Sequence, residues 1–320
     1  MYSVLTALFL FAPADQPASV AMVLRVKGEV TLARAGEKPA RVWSMDLLRP
    51  GDKLNVPKDA EVRLIVLDDG HKETLAADKT ATMTKTGCTP AGAVARKEAS
   101  KLGKEALENM RDDIASGRLG GTLCRGPKLG ETLPVLSPLP TATVLTARPT
   151  LTWPKVDDAT SYVVMLSTGN DLKAQRRVFT LETKEPRLPF PPKRAALQPV
   201  LHRWSVAAKF KGGDEKTIVS REQGEFTVAT EDQIKQLDAV KPLATSDDPT
   251  DKLLAASAYE SLGVLDEAFR LYRQLAEKPL ADDARLHEIV ARYYAAGGQP
   301  KLAEAARKKG TQLLHSGGRR

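Results

Sequence analysis

The chain is expected to be a multidomain protein of mixed class: a small all-β module, a linking helix, a β-sandwich and C-terminal α-helical hairpins. Three observations predict this. Its 320 residues exceed the ~250–300 at which one hydrophobic core stops growing. Apolar residues alternate with period two over 20–86 and again over 141–229, as half-buried strands require. From residue 231 the composition turns Ala-, Leu- and Glu-rich with no strand pattern. At 42% hydrophobic and 28% charged, the chain is neither mostly disordered nor a polytopic membrane protein.

Residues 1–14 read as an export signal. The apolar run Val4 to Ala12 is followed by Pro13 and Ala14, and Ala12-Pro13-Ala14 has the small-x-small form of a cleavage site. Met1-Tyr2-Ser3 carries no Lys or Arg, so an apolar N-terminal strand and a start at Met22 remain as alternatives. Export places the protein in the periplasm or outside the cell. There the two cysteines, Cys88 and Cys124, can form a disulfide, worth roughly 3–4 kcal/mol on the chain-entropy account; two unpaired thiols are the alternative.

Residues 20–86 form the first module. Val23, Arg25 and Lys27 interleave with Leu24 and Val26; Val62, Leu64 and Val66 alternate with Arg63 and Ile65; Asp68-Asp69-Gly70-His71 marks a hairpin. The phrases Val26-Lys27-Gly28-Glu29-Val30, Asp46 to Leu54 with its Pro50-Gly51-Asp52 turn, and Ala60 to Leu67 before Asp69-Gly70 resemble the FecR-like domain of bacterial envelope proteins. That resemblance covers about 70 residues and implies a small periplasmic β domain.

Residues 91–117 change period. Leu102, Ala106, Met110 and Ile114 recur every four residues among charged ones, which predicts an amphipathic helix ended by Gly117 and Gly120-Gly121. Residues 118–140, with Pro127, Pro134, Pro138 and Pro140, read as a Gly/Pro-rich linker. Strand patterns return over 141–229 around Leu151 to Trp153, Ala159 to Leu166, Leu201 to Phe210 and Phe226 to Val228, leaving room for seven short strands. The set resembles a fibronectin type III or Ig-like domain, with Trp153 and Trp204 facing each other across the core and His202 where the family usually has tyrosine.

Residues 231–314 contain an internal repeat. Tyr259, Gly263, Ala268 and Tyr272 are restated by Tyr294, Gly298 and Ala303, 35 residues on from Tyr259, Gly263 and Ala268, a spacing that resembles tetratricopeptide (TPR) repeats. The helix around Ile234, Leu237 and Val240 reads as a cap, the alternative being that the repeats lean on the sandwich. Residues 315–320 are a basic tail ending in Arg319-Arg320.

The sequence contains no recognisable reactive constellation. His71, His202, His287 and His315 are scattered, and His287-Glu288-Ile289-Val290-Ala291 has Ala where a zinc-protease helix carries its second ligand. No nucleophile elbow, phosphate loop or dinucleotide fingerprint occurs, and no cofactor is expected. The pairs Asp68-Asp69, Asp112-Asp113, Asp157-Asp158 and Asp282-Asp283 read as turn and helix-end residues. The net charge of +8 is too mild and dispersed to indicate nucleic acid. Within it, Lys173, Arg176, Arg177, Arg187, Lys193 and Arg194 are candidates for contact with an anionic envelope polymer or lipid surface, against the plainer reading of a solvated face. Tyr259, Tyr272, Tyr293 and Tyr294 are candidates for a peptide groove, against packing between helices.

The expectation is therefore an exported, non-enzymatic binding or scaffold protein of the bacterial cell envelope. Separate small cores are strung in series, and protein partners are recognised through the sandwich and TPR-like modules. The alternative is a FecR-like envelope-sensing regulator that works with a separate membrane partner.

Overall fold

A computed structural model describes residues 18–100, 102–115, 137–169, 176–220 and 224–316. Residues 1–14, expected as an export signal, and Cys124, Lys173, the basic end of the tail and most of the Gly/Pro-rich stretch lie outside these residues.

The first module is two five-stranded antiparallel sheets. One comprises β1 (Ala21–Lys27), β4 (Leu47–Leu48), β6 (Glu61–Val66), β7 (Lys72–Leu75) and β10 (Val94–Glu98), ordered β10-β7-β6-β1-β4. The other comprises β2 (Thr31–Ala33), β3 (Ala40–Arg41), β5 (Lys53–Val56), β8 (Lys79–Thr84) and β9 (Gly87–Thr89), ordered β3-β2-β5-β8-β9. Val23, Leu54, Val62, Leu64, Val66, Leu75 and Ala81 make one core from both sheets. The expected hairpin forms between β6 and β7, where the Val66 N–H donates to the His71 carbonyl at 2.9 Å.

Residues 91–98, expected to open a long helix, instead extend this module past residue 86. Ala91–Ala93 make a single 3-10 turn, β10 pairs with β7, and the helix α1 is confined to Lys104–Ala115. Val94-Ala95-Arg96-Lys97-Glu98 is rich in good helix formers. A short helix is marginal without packing, whereas the open edge of β7 supplies partners for the backbone groups of this segment.

The second sandwich has β11 (Ala142–Val144), β12 (Thr150–Thr152), β13 (Ala159–Thr168), β14 (Arg176–Thr183), β15 (Arg187–Pro189), β16 (Leu201–Phe210), β17 (Glu215–Val219) and β18 (Glu225–Val228). Six form a sheet ordered β11-β18-β16-β13-β14, with β17 also on β16, while β12 and β15 form a two-stranded sheet. Trp153 and Trp204 meet in the core at 6.2 Å between ring centroids, as the resemblance implied. The packed unit begins earlier than residue 141: Ser137 bridges to Thr152, and Leu139 is wholly buried.

Five helices follow: α2 (Glu231–Ala244), α3 (Pro249–Ser261), α4 (Leu265–Glu277), α5 (Ala284–Ala296) and α6 (Pro300–Ser316). The pair α3/α4 recurs as α5/α6 with starts moved from 249 to 284 and from 265 to 300, a shift of 35 in both. Three side-chain oxygens satisfy free N–H groups at helix starts: Thr230 accepts from Gln233, Asp248 from Thr250 and Asp283 from Leu286. No helix among the described residues is long and apolar enough to cross a membrane.

The modules are not strung in series. Met22 and Leu24 of β1, with Ile65 and Leu67, face away from the first sandwich core and join Leu102 and Met110, then Leu253, Leu254 and Tyr272, in one apolar cluster. Both faces of β1 and β6 are therefore buried, one in the sandwich and one under helices. Gly70 sits at φ +76 against Leu107 of α1, where a Cβ would collide, so the β6–β7 hairpin tip docks that helix closely. The second sandwich keeps its own core around Trp153, Tyr162, Trp204 and Phe226; its entry, through Leu139, Ala142 and Leu145, reaches the shared cluster.

Candidate functional site

The seam between the first module and the helices carries polar bonds that local sequence gives no reason to expect. Lys72 of β7 pairs with Asp251 of α3, each side chain about one-tenth exposed, and Ser246 Oγ also donates to Asp251 at 2.9 Å. Arg63 of β6 reaches Asp248 at 2.8 Å. The Ser44 N–H donates to Asp283 Oδ2 at 3.0 Å, while Asp283 Oδ1 accepts from the Leu286 N–H at 3.0 Å. Burial pushes the Asp283 carboxyl above its usual range, against the lowering effect of these donors.

Beside that last bond lies a cleft of about 400 Å³, walled by Glu29, Arg41 and Trp43 of the β module and by Leu280, Asp282 and Leu313 of the helical end. The Arg41 guanidinium lies 4.3 Å from the Trp43 ring centroid and 3.9 Å from Glu29. The backbone at Trp43 is held by its N–H to Asp46 Oδ2 at 2.8 Å. Burial raises the Asp46 carboxyl, opposed first by that bond and then by Arg285. Asp282 is exposed and forms no hydrogen bond or ion pair among the described residues, whereas its neighbour Asp283 is 7% exposed. Asp283 caps a helix start as expected and also ties α5 to the first module.

The other candidates fall elsewhere. Tyr259, Tyr272 and Tyr293 are 4%, 0% and 0% exposed. Tyr272 donates to Glu260 at 2.8 Å, and Tyr293 stacks on Phe269 at 5.3 Å. Tyr294 is half-buried and meets Phe269 edge-on. The groove reading is corrected for the three buried rings: at repeat positions where two helices close on each other, large rings fill the space between them. Cys88 is buried, with its thiol 3.9 Å from Met83 Sδ and beside Glu73, whose Oε2 accepts from the Cys88 N–H at 2.9 Å. Burial and then the Glu73 charge push the thiol up to about 12, which keeps it protonated and unreactive. Its pairing with Cys124 lies outside the described residues.

Arg176, Arg177, Arg187, Lys193 and Arg194 are all exposed. They stand on β14, on β15 of the other sheet and in the loop after it, with no ion pair among the described residues. His202 is buried, its Nε2 2.9 Å from the Gln198 carbonyl and its ring stacked on Phe226 at 5.3 Å. His287 Nε2 lies 2.8 Å from the Ala281 carbonyl. Burial lowers both. His71 lies between Asp69 and Glu73, with Nε2 3.0 Å from Glu73 Oε1. Among the described residues no group of three His, Cys, Asp or Glu side chains is arranged to hold a metal ion. Reasoning from sequence missed Arg41 and Trp43; the available signal was a tryptophan next but one to an arginine in a chain of only 5% aromatic residues.

Two β-sandwiches and a helical end on a partly shared core define a mixed multidomain chain. No family model and no curated protein matches it. Among solved structures, fibronectin domains FN1–FN3 of chicken CNTN1 align at 11% identity and a TM-score of 0.18, over 64% of this chain and 57% of that one. A β-1,2-glucanase from Parabacteroides distasonis aligns at 11% identity and a TM-score of 0.21, over 93% of this chain and 49% of that one. The chain thus spans about half the length of each, and likenesses this slight carry no argument for fold or activity.

Proposed function

We propose that the chain is an exported, non-catalytic binding protein of the bacterial cell envelope. In this reading a FecR-like β module and two TPR-like hairpins act as one recognition block, and the fibronectin-type sandwich is a second. The observation that carries it is the seam. Two modules share a core and are clamped by buried bonds, and the cleft they enclose is lined by carboxylates and a tryptophan. Pre-formed clefts at module junctions are common ligand sites. The reactive side chains add support: the Cys88 thiol is held protonated, and His202 and His287 each sit against a backbone carbonyl, which is structural work. The sensing alternative has a narrower surface to use, because the β1/β6 face that a membrane partner could cover is taken by this chain's own helices.

Two experiments test the reading. Residues 1–20 fused to leaderless alkaline phosphatase should give periplasmic activity; an inactive cytosolic fusion removes the export part. Selection of a random-peptide library on the full chain should yield a consensus sequence. Absence of any consensus, or turnover of an envelope polymer abolished by one substitution that leaves the fold intact, removes the binding part.

A further inference from the structure

We propose that the cleft between the β module and the helical end receives a lysine or arginine side chain of an extended polypeptide. This rests on the binding reading above and names the chemistry of its partner. The walls come from two modules held at fixed separation by the Ser44–Asp283 bond, so the cleft needs no rearrangement to open. At about 400 Å³ it has room for a side chain and a stretch of backbone, not for a folded domain.

Its lining carries three carboxylates, Glu29, Asp282 and Asp283, against one guanidinium, Arg41. Asp283 is spent on Ser44 and Leu286, which leaves Glu29 and Asp282 for a ligand. Asp282 has no partner among the described residues, and Glu29 is held by Arg41 only loosely, at 3.9 Å. On the helical side, Arg285 lowers the Asp46 carboxyl.

Arg41 itself shows what this wall accepts, a flat cation laid on Trp43 and edged by a carboxylate, the arrangement in which cation–π and ionic attraction act together. Val26 and Leu313, both half-buried, supply apolar surface for the methylene stem that lysine and arginine bury behind their charge. An anionic ligand would meet the unpaired Asp282 and the loosely paired Glu29 here, so the site and the exposed arginines of the second sandwich serve different chemistries.

The test starts from a consensus peptide selected on the full chain. Binding is followed by Trp43 fluorescence, since Trp153 and Trp204 are buried at 4% and 0% exposure. The consensus should contain a fixed Lys or Arg, and replacing it by norleucine should weaken binding about five- to tenfold. Glu29→Gln with Asp282→Asn should weaken it as much with no change in thermal midpoint, both side chains being exposed. Trp43→Phe should abolish the optical signal and reduce affinity measured by calorimetry. A peptide that binds equally well with norleucine, or to the doubly substituted chain, overturns the cleft assignment and leaves the binding reading standing. Failure to select any peptide overturns both.

Discussion

Asp282 and Asp283 are the same residue type one position apart, and the fold gives them opposite environments. Asp283→Ala removes a helix cap and leaves the Ser44 N–H without its acceptor, so it should cost about 2–4 kcal/mol. Asp282→Ala should stay within about 0.5 kcal/mol of the parent. Urea midpoints of the two variants check both values. Asp266, at the start of α4, accepts from the Leu139 N–H at 3.4 Å, and burial, with Glu267 adding repulsion, pushes its carboxyl up to about 7. The folded value lies above the unfolded one, so its stabilising contribution is complete below pH ~4 and is lost as pH rises through about 7. Asp266→Asn should therefore stabilise the protein at pH 8 by at most about 4 kcal/mol and make no such difference at pH 4. Paired denaturation curves at the two pH values measure this.

Elements meet here through buried charge as well as through apolar contact. Lys72 on β7 and Asp251 on α3 are separated by 179 residues, yet removing one leaves the other charged with little water around it. Lys72→Ala should cost about 3–5 kcal/mol, whereas Lys72→Met with Asp251→Leu should lie within about 1 kcal/mol of the parent or above it. A double-mutant cycle in urea separates the pair from its burial. The same level explains β10: a helix-forming stretch became a strand because an open sheet edge lay within reach. It also explains the early start of the second sandwich, where Leu139 finds a place under the helices.

At the level of the whole molecule, the shared cluster means that the first module cannot be separated from the helices without exposing Met22, Leu24, Ile65 and Leu67. Calorimetry of the full chain should show two transitions, one for the first module with the helices and one for the second sandwich. Residues 20–98 expressed alone should aggregate or melt well below the intact protein, while residues 137–230 should fold independently around the Trp153–Trp204 core. A separate transition for residues 20–98 at the same temperature alone and in the full chain would contradict this. The cleft depends on this union, because neither module encloses it by itself.

Local patterning was enough to read β1, β6, β12, β13, β16 and β18, the Asp69-Gly70 hairpin and the 35-residue helical repeat, since each is set by side-chain period, turn chemistry or spacing within a few dozen residues. The fate of residues 91–98, the second buried face of β1 and β6, the placement of Lys72 beside Asp251 and the joining of Trp43 to Asp282 were settled by tertiary structure alone. Those outcomes depend on which surfaces of distant segments meet, or on which edge is left open. A strand apolar on both faces tells only that something covers it; the covering element is chosen by the packing of the whole chain.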